Sequence, residues 1–277
     1  SLPSENDQYE EYAKMVEAAS GLPLTIRTLD LGGDKLLDGL NQQKESNPFM
    51  GFRAIRYCLS NPSVFLDQLR AILRASAHGN MRIMLPMISG VGEVIRTKEF
   101  IAQAKRELDS RGEKYDPEIQ LGCMIETPAA VAICDLLAQE SDFFSVGTND
   151  LVQYLLAVDR VNNEIAFLYE PHHPAVIRSL KQVASVAEEQ NLPVTLCGEI
   201  SGDPHFLPLL IGLGFDSFSA SPSMVLEMKF FARRFNQQDV EKITREAESK
   251  FRPSEIKELI KNFYEDRVSE ASVSETI

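Results

Sequence analysis

Residues 24–30, 81–87, 120–126, 143–148, 193–199 and 216–220 form a series of short, almost wholly apolar stretches, separated by polar or Pro-containing turns and helical patterns. A strand that is apolar on both faces must be covered on both. Strands that alternate with helices pair in parallel, because the helix carries the chain back to the starting edge. That alternation confines the chain to a parallel sheet sheathed in helices. Phe65, Leu66, Leu69, Ile72 and Leu73 recur at three-to-four spacing, which predicts a helix with one buried face. A further strand is predicted near 52–56, making seven, and the pattern does not place an eighth. Periodicity alone does not choose between an open doubly wound sheet and a closed barrel. No GxGxxG follows the first strand, however, and this favours the barrel. Polar residues fall at the carboxyl ends of different strands: Arg27 and Asp30, Glu126, Asn149 and Asp150, Cys197 and Glu199. In a barrel those positions converge on one mouth, where catalysis is found. The expected fold is therefore a single-domain α/β (β/α)8 TIM barrel over residues 24–267. A lead-in segment, 1–23, carries a helix over 5–20 that Gly21 and Pro23 stop, and the charged helix 253–267 is followed by a disordered tail, 268–277.

A length of 277 residues with 44% hydrophobic content suits one large domain of this kind. The net charge of -13 tells against the broad basic field that nucleic acid or an anionic membrane requires. An anionic ligand would have to be held by a local cluster of arginines. No apolar run approaches the roughly 20 residues that span a bilayer, and the opening SLPSENDQYEEYAK lacks the order of a signal peptide, so the expected location is cytoplasmic. Cys58, Cys123, Cys134 and Cys197 lie apart without a CxxC, which predicts free thiols and neither a zinc site nor a disulfide framework.

In ETPAA, Glu126 ends a strand, Thr127 suits an N-cap and Pro128 the first helical turn. SVGTNDLVQY repeats this logic, with Gly147 permitting a tight exit and Asn149 and Asp150 opening the next helix. Carboxylates delivered by Glu126 and Asp150 from two strand tips form an oxygen-ligand pair suited to Mg2+, which takes one or two protein carboxylates and leaves the rest to water and substrate. The plainer alternative is a surface glutamate and an acidic helix start. Arg27 lies in an otherwise apolar strand, Arg53 and Arg56 follow the turn in NPFMGFRAIR, and Arg160 closes AVDR. A guanidinium buried in a strand needs an anion, either an internal partner such as Asp30, Asp34 or Asp159, or a ligand; for Arg56 the internal pair is preferred. Converging Arg27, Arg53 and Arg160 with a divalent metal describe a site for a small phosphorylated acid. Cys197 sits at the mouth, where a thiol could donate a proton to carbon, whereas the other cysteines read as small buried hydrophobes. His172 and His173, in YEPHHPAV, read as structural or solvent-facing, and GGDK at 32–35 as a tight strand exit without the spacing of a phosphate loop.

The stretches TIRTLDLGGDK, NPFMGFRAIR, DQLRAILRASAHG, RIMLPMI, ETPAA, FFSVGTNDLVQYLLAVDR and LCGEISGD together resemble the phosphoenolpyruvate-binding domain of the enzyme I family of the bacterial sugar phosphotransferase system. They run from residue 24 to about 220 in the family order. The GTNDL…DR and CGE..GD elements are shared with pyruvate phosphate dikinase and phosphoenolpyruvate synthase, whereas RTLDLGGDK points to enzyme I. The resemblance implies that Arg27, Arg53, Asn149, Asp150 and Arg160 bind phosphoenolpyruvate, that Glu126 and Asp150 ligate Mg2+, and that Cys197 protonates the enolate as pyruvate forms. It also implies a phosphoryl acceptor histidine on a separate N-terminal domain within a GGxxSHxAI-type motif, a context that His78, His172, His173 and His205 all lack. The chain is thus expected to be the C-terminal domain of such an enzyme, to act with that histidine domain and, through it, with the histidine-containing phosphocarrier protein, and to form a homodimer. Two other readings compete: the barrel of a dikinase or synthase, and a non-catalytic dimerisation or regulatory barrel.

Overall fold

The computed structural model describes residues 2–30 and 47–274. Among these, six strands form one α/β sheet in the order β1 to β6, namely β1 (Leu24–Arg27), β2 (Met81–Leu85), β3 (Gln120–Ile125), β4 (Phe143–Gly147), β5 (Val194–Cys197) and β6 (Ser217–Phe218). The GGDK segment lies outside the described residues. The chain divides into two compact units, Ser1–Met124 with Gln139–Phe143, and Ile125–Ala138 with Phe144–Ile277.

The first unit holds α1 (Glu5–Ala18), α2 (Ala54–Ser60), α3 (Pro62–Ser76) and α4 (Val91–Arg111) around β1 to β3. The strands pair in parallel, Leu24 beside Met81 and Arg82 beside Gln120. Phe65, Leu69, Ile72 and Leu73 of α3 are wholly buried, as their spacing predicts, and Ile83 and Leu85 of β2 are buried with them. Gly122 admits the ring of Phe143 where a Cβ would stand 2.4 Å from it. Helix α1 is capped by Ser4 and Asp7 in a reciprocal capping box. An ion network ties its Glu5 to Arg70 at 2.6 Å, to Arg74 at 3.0 Å and to Arg111 at 3.0 Å.

The strand predicted near 52–56 is absent. Arg53 is the extended N-cap of α2, and Ala54, Ile55, Tyr57 and Cys58 bury a helical face there instead. A short apolar run flanked by turn residues fits either period, and here the burial spacing is that of a helix.

The second unit holds α5 (Pro128–Ala132), α6 (Cys134–Ala138), α7 (Thr148–Leu156), α8 (Pro174–Glu189), α9 (Leu207–Gly212), α10 (Pro222–Ala232), α11 (Gln237–Glu248) and α12 (Pro253–Ser274), with β4 to β6. Its strands are again parallel, Val146 pairing with Leu196 and Leu196 with Phe218. Leu207, Met228 and Phe231 form a separate apolar cluster on which Phe235, Phe263 and Tyr264 pack, so α12 is seated by aromatic side chains. That helix continues past Arg267 to Ser274, through much of the segment predicted as a disordered tail. Glu270 and Ala271 are good helix formers, and the charge of the segment conceals that propensity. No helix among the described residues is long and apolar enough to cross a membrane.

Candidate active site

In the second unit, Glu126 directly follows β3 and is 3% exposed. Thr127 then caps α5, its Oγ1 accepting the Ala130 N–H at 3.1 Å, and Pro128 occupies the first turn, as the ETPAA pattern predicts. The end of β4 repeats the arrangement. Gly147 leads into α7, whose first turn carries Thr148, Asn149 and Asp150, and the Asp150 carboxylate is almost fully buried.

Helix α7 is fastened to the loop after β5. Thr148 Oγ1 donates to the Cys197 carbonyl at 2.8 Å, and Asn149 Oδ1 accepts the Glu199 N–H at 2.9 Å. Between those bonds lies Gly198 with φ +99; a Cβ there would meet Thr148 Oγ1 at 2.3 Å and Asn149 Oδ1 at 2.8 Å. The conformation and the close approach both require glycine. Cys197 closes β5 half-buried, its Sγ 3.3 Å from the Val146 carbonyl and 3.4 Å from Ser145 Oγ.

Arg160 returns to the same helix: its Nη1 stands 3.4 Å from Asp150 Oδ1, and its side chain remains 34% exposed. The Tyr169 hydroxyl donates to the Asn149 carbonyl at 3.2 Å. Burial pushes the Tyr169 phenol up to about 12, against the opposing pull of the Arg160 charge. A cavity of about 850 Å³ opens on this unit, lined by Asn149, Gly198 and Glu199 together with Asp203, His205 and Glu227.

The first unit carries the other two predicted arginines. Arg53 is 5% exposed and grips Asp30, its Nη2 lying 2.9 Å from both carboxylate oxygens. Arg27 pairs with Asp30, one of the expected internal partners, at 3.7 Å, but it is not buried: its side chain at the end of β1 is 42% exposed. Exposure alternates along β1, with Thr25 and Arg27 outward and Ile26 buried, so the Arg27 head reaches solvent and full desolvation does not arise. Arg56 donates to the carbonyls of Met50 at 2.9 Å and Gly51 at 3.1 Å, a structural role met by backbone oxygens in place of the carboxylate expected.

The histidine doublet is bound into the fold. The His173 ring caps α8 by accepting the Ala175 N–H at 3.1 Å; His172 Nδ1 lies 2.6 Å from Glu170 Oε1, and its ring stacks on Phe206. Cys58 and Cys123 are buried thiols, pushed by desolvation to about 12 and about 11. Sequence reasoning missed Gln153 and Tyr169. Gln153 stands one helical step beyond Asp150 in NDLVQY, a spacing that could have found it, whereas only the tertiary fold brings Tyr169 to Asn149.

The donor set suits Mg2+. Glu126, just past β3, and Asp150, in the first turn of α7, are buried carboxylates that would supply two hard oxygen ligands and leave coordination positions for water and a ligand. No cluster of three or more His, Cys, Asp or Glu side chains that could cage a metal occurs among the described residues.

In the second unit, Glu126 and Cys197 thus stand at strand ends, and Arg160 meets Asp150 in the first turn of α7. The chain belongs to the PEP-utilising enzymes, matching the family's PEP-binding domain over residues 1–237. It is 42% identical over 262 residues to the phosphoenolpyruvate-protein phosphotransferase of Listeria monocytogenes serovar 1/2a, covering 95% of this chain and 46% of that protein. Proteins of the same name from Priestia megaterium and Cupriavidus necator are 45% identical over 240 residues and 48% identical over 230; 87% and 82% of this chain is covered, and 42% and 39% of theirs. The chain thus spans less than half the length of these relatives.

Proposed function

We propose that this chain binds phosphoenolpyruvate with Mg2+ and catalyses transfer of its phosphoryl group to a histidine on a separate N-terminal domain, releasing pyruvate and starting the sugar phosphotransferase relay. The observation that carries this reading is the gathering, on one unit of a PEP-utilising enzyme, of the Asp150–Arg160 pair, the Asn149 amide and the half-buried Cys197 thiol. Arg160 and Asn149 bind the phosphorylated acid, a role that Arg27 and Arg53 share by resemblance. The exposed head of Arg27 is available to an anion, and Arg53 is held ready by Asp30. Glu126 and Asp150 would hold Mg2+, which would offset negative charge on the phosphoryl group and the enolate. As the phosphoryl group leaves, the Cys197 thiol gives its proton to C3 of the enolate and pyruvate forms. Closure of the strands into a (β/α)8 barrel, homodimerisation, a cytoplasmic location and onward transfer to the histidine-containing phosphocarrier protein belong to the same proposal.

Incubation with phosphoenolpyruvate and Mg2+ tests the acceptor assignment. Alone, the chain should acquire no acid-labile phosphate. When the N-terminal histidine domain of a relative is added, phosphate should appear on that domain while pyruvate forms. Acid-labile phosphate on His172 or His173 of the chain alone would show that the acceptor has been misassigned.

A further inference from the structure

Gln153 is a buried polar residue of α7 that the reaction above does not use. It is 3% exposed, and its side-chain Oε1 accepts the N–H of Arg160 at 3.1 Å. Its main-chain carbonyl accepts the Val158 N–H at 3.0 Å and also receives the N–H of Ala157. Ala157 ends the helix in the left-handed region at φ 54, so the chain turns sharply there and returns past α7. One residue thereby holds both ends of the turn, the start through its main chain and Arg160 through its side chain.

Packing alone does not account for a glutamine at this position. Burying an amide costs stability unless its donors and acceptor are bonded, and Gln153 Nε2 makes no hydrogen bond among the described residues. An apolar residue of similar volume would fill the space without that cost. What glutamine supplies, and Met or Leu cannot, is the acceptor for the Arg160 N–H. From that anchored main chain the guanidinium reaches Asp150 at 3.4 Å.

We infer that Gln153 is a positioning residue, fixing the Arg160 main chain so that the guanidinium stays beside Asp150. The functional part of this inference rests on the proposed anion-binding role of Arg160.

Two variants separate the acceptor from the volume: Gln153→Met keeps the bulk, and Gln153→Asn keeps the amide but shortens its reach. Amide hydrogen exchange is read at Arg160 in the ligand-free protein, and oxalate affinity in Mg2+ by calorimetry for wild type, each Gln153 variant, Arg160→Ala and the double variants. The Arg160 amide should be protected in wild type and should lose protection in both Gln153 variants, while amides inside α7 keep theirs. Oxalate binding should weaken about five- to ten-fold, the scale of one lost hydrogen bond. In the Arg160→Ala background the same change should cost less than about two-fold, because residues that act through one another are not additive. An Arg160 amide that exchanges freely in wild type overturns the inference, as does a Gln153 penalty of equal size in both backgrounds. If wild type fails to bind oxalate, the binding proposal falls while exchange still decides the anchor. Should Gln153→Met fail to fold, Gln153→Asn carries the same comparisons.

Discussion

Cys197 differs from the other cysteines in its surroundings. Cys58, Cys123 and Cys134 are buried, and desolvation raises all three thiols, so they stay protonated and inert at neutral pH. Cys197 is half-buried at a strand end, and an alkylating reagent at neutral pH should modify it ahead of the rest. A proton donor to carbon adds nothing to holding phosphate. Cys197→Ala should therefore bind phosphoenolpyruvate as wild type does while forming pyruvate roughly two to four orders of magnitude more slowly, the scale of a positioned acid. The check is solvent deuterium entering the pyruvate methyl group during transfer to an added histidine domain; entry at the wild-type rate would return Cys197 to the class of small buried hydrophobes. The position of this thiol was legible because one strand and one turn determine it. Arg27 was misread as buried, since β1 is covered on one face only and Arg27, like Thr25, lies on the other.

Among the elements, α1 depends most visibly on charge. Burial pushes the Glu5 carboxyl up, but hydrogen bonds and charge from Arg70 and Arg111 outweigh it and hold the group below its usual value. A carboxyl lowered by folding stabilises the native state above its unfolded value, and that contribution is lost as pH falls through the lower folded value. Glu5→Gln should lower stability at neutral pH by about 1 kcal/mol, a figure kept small because solvent screens part of the network. The gap between wild type and variant should close below about pH 4, where carboxylates protonate. Denaturant unfolding of both proteins across that range checks this, and a gap independent of pH would mean that Glu5 acts by packing alone. This network was hidden from sequence reading because Glu5, Arg70 and Arg111 are far apart along the chain. The six strands were visible because their apolar runs are bounded by Gly, Pro and charged residues. Residues 52–56 misled because a run so short carries no period of its own.

For the whole molecule, the net charge of -13 repels the anionic substrate proposed here, so recognition must come from local cations. Arg160 stands beside Asp150, and Arg53 and Arg27 share Asp30, so carboxylates hold these arginines in place before any ligand arrives. On the proposed reading, a dianion such as oxalate should therefore gain most when Mg2+ adds positive charge at Glu126 and Asp150. Calorimetric titration of the chain with oxalate, in Mg2+ and after chelation of divalent metal, measures that dependence directly. Binding should require Mg2+ and should disappear in Asp150→Ala even when Mg2+ is present. Equal oxalate affinity with and without Mg2+ would contradict the proposed site.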